Sequence, residues 1–167
     1  MATATESATG KAGDVTYFNK DAVKGEFVHV DEVRWQVMPE PFAHGGICWK
    51  LLHVSPEIGA WTAYYKCPAG SHFSAHIHIG PGEYLLTKGK MEVRGGSAEG
   101  GETAYALGYG FEPSSARHDR TYFPIDSEFY MTFVGPLHWI KEEDGSTIAI
   151  TGWKELQEVW LQQTGGQ

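Results

Sequence analysis

The sequence is poor in basic charge. Its 167 residues hold 13 Lys and Arg against 21 Asp and Glu, a formal charge of −8. The basic residues are scattered, so no patch forms that could track a phosphate backbone or an anionic bilayer, and neither a nucleic acid nor a membrane is expected as partner. Cysteine is scarce as well. Only Cys48 and Cys67 occur, both inside apolar runs. They read as buried free thiols of a reducing compartment, with a disulfide between them left open. No apolar run reaches the roughly 18 residues that suggest a membrane-spanning helix. The opening Met-Ala-Thr-Ala-Thr-Glu-Ser-Ala lacks the basic and apolar regions of a secretion signal, so a cytoplasmic location is expected.

Helical periodicity is also missing until the C-terminal end, and what replaces it is β patterning. Twenty-one glycines and eight prolines without a period call for many turns, hence many short strands. Residues 1–14 are small and polar and read as a mobile tail, with one domain over 15–167. Strand-like runs begin at Val15, Phe27, Arg34, Gly46, Trp61, Met91 and Thr103, the one at Met91 following a Gly89-Lys90 hairpin turn. Gly95–Gly101 reads as a loop. From Ser127 to Val134 the pattern alternates, with Phe129, Met131 and Phe133 on one face and Tyr130, Thr132 and Val134 on the other. Both faces are apolar enough to be covered, which marks a central strand. Trp153, Leu156, Val159 and Trp160 form a helical stripe across 153–163, suited to core or subunit packing. The fold class is therefore all-β, an antiparallel sandwich or barrel of roughly ten short strands with one closing helix.

Chemistry concentrates in residues 70–89. His76 and His78 are two apart, so on a strand their imidazoles share a face. Gly80-Pro81-Gly82 breaks that strand, and Glu83 opens the next, where its carboxylate could fold back toward them. Two imidazoles and a carboxylate from adjacent strands suit a metal ion. His118 follows forty residues later, after Gly108-Tyr-Gly-Phe-Glu-Pro-Ser-Ser-Ala-Arg. His72 shares the face of His76 by parity and reads as a non-ligand, because a further ligand would close a position that catalysis needs. His29, His44, His53 and His138 show no clustering and read as structural or surface groups.

The chain resembles the cupins, small jelly-roll barrels with a metal inside. Gly70, His76, His78 and Glu83 fit their first motif, with Gly89 one residue early. Pro113 and His118 fit the second, where Ser115 stands for a glycine, Gly108 is one residue close and Tyr122 replaces an asparagine. Residues 45–53, 74–96 and 129–136 further resemble the acetylacetone dioxygenases, the diketone-cleaving branch. That resemblance implies a non-haem Fe(II) held by His76, His78 and His118. It also implies cleavage of a β-diketone by O2 to a carboxylate and a 2-oxoaldehyde. Arg94 and Glu112 map to a pair that orients the ligands, with Tyr84 and Thr121 as the other polar groups around them. Phe73, Met131 and Phe133 map to the apolar substrate wall. Strict alternation sets Phe73 opposite His76, so either a bulge intervenes or Phe73 is ordinary core. Glu83 stands as a fourth ligand in many cupins but not in this branch.

Three neutral imidazoles leave a +2 charge uncompensated, which suits a chelating enolate. Zinc or another divalent metal can occupy such a site in the purified protein. The related dihydroxyacetophenone dioxygenases offer a hydroxyketone as alternative substrate. A non-catalytic, zinc sensor-like cupin is the alternative of another class; such domains adjoin a partner-binding segment, for which a 14-residue tail is short. The resemblance also implies a homo-oligomer, for which a tetramer is one size.

Overall fold

The computed structural model describes residues 27–165. The tail expected at 1–14 and the strand expected at Val15 lie outside the described residues. In chain order the strands are β1 (Gln36–Val37), β2 (Ala43–His44), β3 (Cys48–Ser55), β4 (Ala60–Cys67), β5 (His72–Phe73), β6 (His76–His78), β7 (Gly82–Lys88) and β8 (Lys90–Val93). They continue as β9 (Glu102–Tyr105), β10 (Gly108–Glu112), β11 (Arg117–His118), β12 (Thr121–Tyr122), β13 (Ser127–Val134), β14 (Leu137–Ile140) and β15 (Thr147–Thr151). Helix α1 (Trp153–Thr164) follows.

Every strand pairing is antiparallel. One sheet runs β1-β3-β4-β13-β7-β10, a second β11-β6-β14-β15, and a third β2-β5-β12-β8-β9. The expected all-β fold with one C-terminal helix is what the chain forms. β13 is central, paired with β4 on one side and β7 on the other. Its inward Phe129, Met131 and Phe133 are buried. Its outer face differs from expectation: Tyr130 is covered by the ring of Tyr64, but Thr132 and Val134 are exposed. Thr132 meets Thr62 across the outer surface through a hydroxyl bond, so this face needs no second layer.

The core lies between the sheets and is aromatic. Tyr65 packs on Phe73 and Phe129, and Phe123 on Phe73 and Phe129. Helix α1 closes one end by setting Trp160 edge-on against Trp49 of β3, with ring centroids 5.3 Å apart. Gln163 fastens the contact, accepting from Trp49 Nε1 at 3.1 Å and donating to the Val37 carbonyl at 2.6 Å. The helix begins where the Glu155 carboxylate accepts from the Gly152 amide.

Three local expectations change. The run at Phe27 forms a bridge and then a short 3-10 turn over Val30–Glu32, not a full strand. Gly89-Lys90 is no hairpin, because β7 and β8 lie in different sheets and the chain crosses between them there. A Cβ at Gly89 would stand 2.4 Å from the Asp126 carbonyl, so close approach explains that glycine. Cys48 pairs with Lys66 and so faces away from Cys67, and both cysteines are free.

A turn at Pro113–Ala116 joins β10 to β11 and clasps the middle of the barrel. Ser115 donates its amide to the His78 carbonyl at 2.6 Å, and the His78 amide donates to Ala116. Ser115 adopts φ 70°, a left-handed conformation that costs a non-glycine residue about 1 kcal/mol or more. Glycine, which the cupin pattern places here, relieves that strain but adds chain entropy to the unfolded state. Ser115→Gly should therefore raise stability by about 0.5 kcal/mol and Ser115→Val lower it by about 1–2 kcal/mol in denaturant titrations. Trp160→Ala, which removes a buried ring from the helix dock, should cost about 3–5 kcal/mol by the same measurement.

Candidate metal centre

Short strands bring the three histidines together. β6 carries His76 and His78 on one face, and β11 pairs with it so that His118 lies directly across from His76. All three are buried. Each offers a ring nitrogen within 4.8 Å of the others, and among the described residues this is the one such group of three or more metal-binding side chains. The His76 Nδ1–H donates to the Ser74 carbonyl at 2.8 Å, which fixes its tautomer and turns Nε2 into the barrel. The indole of Trp139 packs on His76 at 4.9 Å, held by its Nε1–H on Thr151 at 2.8 Å. Phe133 packs on His78 at 5.3 Å.

Burial, reinforced by the neighbouring imidazoles of His118 and His78, pushes the His76 pKa down to about 3. At neutral pH this ring is uncharged, with its lone pair available. Among the described residues the one carboxylate in contact with the group is Glu112. Its Oε2 lies 3.0 Å from His78 Nε2 and 3.2 Å from His118 Nε2. Burial would raise its pKa, but hydrogen bonds from His118 and His78 outweigh that and hold it far below the ordinary carboxylate range. The Nδ1 atoms of His78 and His118 are buried without a hydrogen-bond partner. An unmet polar atom in such a place costs about 1–3 kcal/mol. Three buried imidazoles whose ring nitrogens converge within 4.8 Å are a donor set that fits a divalent ion.

An apolar cavity of about 40 Å3 is lined in part by His76 and His78. Phe73, Tyr84, Glu112, Thr121, Met131 and Phe133 all line it. Phe73 reaches it because β5 ends at Phe73 in one sheet and β6 begins at His76 in another, which breaks the parity between them. No bulge is needed. The same break corrects His72, which does not share the face of His76. It is half-buried in an outer cleft, stacked on His44 at 4.8 Å, so those two histidines do cluster. His29 and His53 are exposed, and His138 bonds to Thr147.

One open role is decided and one expectation is corrected. Glu83 is exposed on the outer face of β7, where Tyr109 hydrogen-bonds to it; with Gly82 and Tyr84 facing inward, alternation sends Glu83 out. It is no ligand. Arg94 follows inward-facing Val93, sits exposed at a left-handed turn and meets Glu102 at 3.7 Å, so it does not pair with Glu112. Sequence reading passed over Trp139, whose position two after inward-facing Leu137 on a short strand is the signal that places it against His76.

The ChrR cupin-like domain family matches residues 23–138. The acetylacetone-cleaving enzyme of Acinetobacter johnsonii is 57% identical over 145 residues, covering 87% of this chain and 94% of that protein. The crystal structure of an acetylacetone dioxygenase from the same organism superposes with a TM-score of 0.82 at 56% identity, over 88% of this chain and 98% of the other. An RmlC-like cupin from Ralstonia eutropha shares the fold at only 17% identity, with a TM-score of 0.78 over 90% of this chain and 93% of the other. Three histidines converging inside an antiparallel barrel and these likenesses agree: the chain belongs to the cupin family.

Proposed function

We propose that this chain is an Fe(II)-dependent dioxygenase that cleaves a carbon–carbon bond of a small β-diketone with O2, giving a carboxylate and a 2-oxoaldehyde. The observation that carries the reading is the buried set of His76, His78 and His118, of which His76 and His78 line a small apolar cavity. The 57% identity to an acetylacetone-cleaving enzyme supports it. The metal, when held by the three imidazoles, supplies a Lewis-acidic centre for a chelating enolate and for redox chemistry with O2.

The chain's own residues do the rest. Three neutral ligands leave the centre cationic, so an anionic substrate is preferred over its neutral form. Glu112, held ionised against His78 and His118, is assigned to orient those two rings and offset part of the centre's charge. Tyr84 and Thr121 are the polar groups assigned to orient the substrate oxygens. Phe73, Met131 and Phe133 exclude water and hold its methyl ends. The protein is assigned a cytoplasmic location and a homo-oligomeric state, the latter supported by exposed Leu85, Tyr109 and Phe111 on the outer face of β7 and β10.

Fe(II)-reconstituted, anaerobically handled protein should consume O2 with pentane-2,4-dione, and His118→Ala should lose at least about a hundredfold of that rate. Absence of uptake with iron confirmed bound would sink the reading. The depressed His76 pKa also sets a pH dependence for the metal-free protein. Between pH 6.5 and about 3 the unfolded chain takes up a proton that folded His76 does not, so stability falls as pH falls through that window. Glu112 acts in the same direction below its ordinary value of 4.5, where the unfolded chain takes up a proton that the folded carboxylate, held ionised by its two histidine partners, does not. Chelator-treated protein should therefore melt progressively lower from pH 7 to 4, and His76→Gln should flatten the part of that slope above pH 4.5.

A further inference from the structure

The polar wall of the cavity is built from two strands in a checkered pattern. On β7 the inward positions are Gly82 and Tyr84; on β10 they are Gly110 and Glu112. Register pairs Gly82 with Glu112 and Tyr84 with Gly110. Each large polar side chain thus faces a glycine across the ladder. Neither glycine is there for its backbone, since neither takes a positive φ. Space explains both. A Cβ at Gly110 would stand 2.2 Å from Tyr84 Cζ and 2.4 Å from its hydroxyl oxygen. A Cβ at Gly82 would stand 2.7 Å from Met131 Cε and 3.5 Å from His78 Nδ1. Cross-strand neighbours directly opposite are close enough that only a hydrogen lets an aromatic ring lie flat over the partner.

We infer that Gly110 is a positioning residue for the candidate site: its missing side chain is the seat on which the Tyr84 ring lies, and this seat sets where the phenol stands in the cavity. Tyr84 cannot yield easily. Its ring is half-buried, β13 flanks it with Met131 on the far side, and Gly110 fills the near side. β10 has β7 as its single strand neighbour within the sheet, so no strand lies beyond Gly110 to hold the ring from that side. Even one methyl group at position 110 occupies the seat and drives the ring toward Met131 and into the cavity. The inference rests on the dioxygenase reading for its catalytic consequence but not for its packing consequence, and the two can be separated.

The test is a double-mutant cycle on iron-loaded protein with wild type, Gly110→Ala, Tyr84→Ala and the combined variant. It reads pentane-2,4-dione turnover by O2 uptake and the melting temperature of each. Gly110→Ala alone should lower kcat/KM by about tenfold or more, chiefly through KM because the displaced ring takes substrate volume, and should lower the melting temperature. Against Tyr84→Ala, the same change should alter kcat/KM by less than about twofold and leave the melting temperature unmoved, because no ring remains to displace. Gly110→Ala that folds only when Tyr84 is absent gives the same support. Equal effects in both backgrounds, failure to fold in both, or a single variant indistinguishable from wild type would each overturn the inference. If wild type turns over no diketone while the melting temperatures still couple, the seat stands and the substrate reading falls.

Discussion

Three imidazoles must be taken out of water and turned toward one point; the architecture follows from that requirement. Burial disfavours an imidazolium at His76, and the rings of His118 and His78, with centroids about 5 Å away, disfavour it further. The cost is a set of polar nitrogens without solvent. The chain meets it unevenly. His76 is anchored by the Ser74 carbonyl, His78 and His118 lean on one shared carboxylate, and aromatic faces from Trp139 and Phe133 close the gaps. A cation held there by His76, His78 and His118 would compete with Glu112 for the rings of His78 and His118, so metal affinity and the position of Glu112 would be two sides of one balance.

How much of this was legible depended on whether alternation could be followed without interruption. Along β13 it could, because eight residues stay in one sheet between two neighbours, and the inward Phe129, Met131 and Phe133 came out as expected. Across Phe73 to His76 it could not. The chain leaves one sheet and enters another within two residues, and parity carries no information through such a passage. The crossing at Gly89 misled for the same reason, since a turn between two sheets and a turn within one use the same residue types. Glu83 was an open role. The cupin motif allowed it as a ligand, the diketone-cleaving branch did not, and alternation decides the matter once Tyr84 is inside. Arg94 shows the limit of transferring a role by resemblance, because its side chain is directed by a left-handed turn that opens onto Glu102. Glu112 was recognisable only by resemblance; no spacing rule links a residue on β10 to histidines on β6 and β11.

The groups around the centre do not stand on equal foundations. His76 and His78 belong to β6, which is bonded on both sides, by β11 and β14. Glu112 and His118 belong to β10 and β11, each the last strand of its sheet, and the turn at Pro113–Ala116 joins them into one short span. Strands held on one side open and shift at lower free energy than strands held on both. The barrel therefore contains a fixed jaw and a compliant one. Ions of different radius, or a substrate that needs more room, would be accommodated by movement of residues 112–118 as a unit, with the paired histidines of β6 as the reference against which that movement is made.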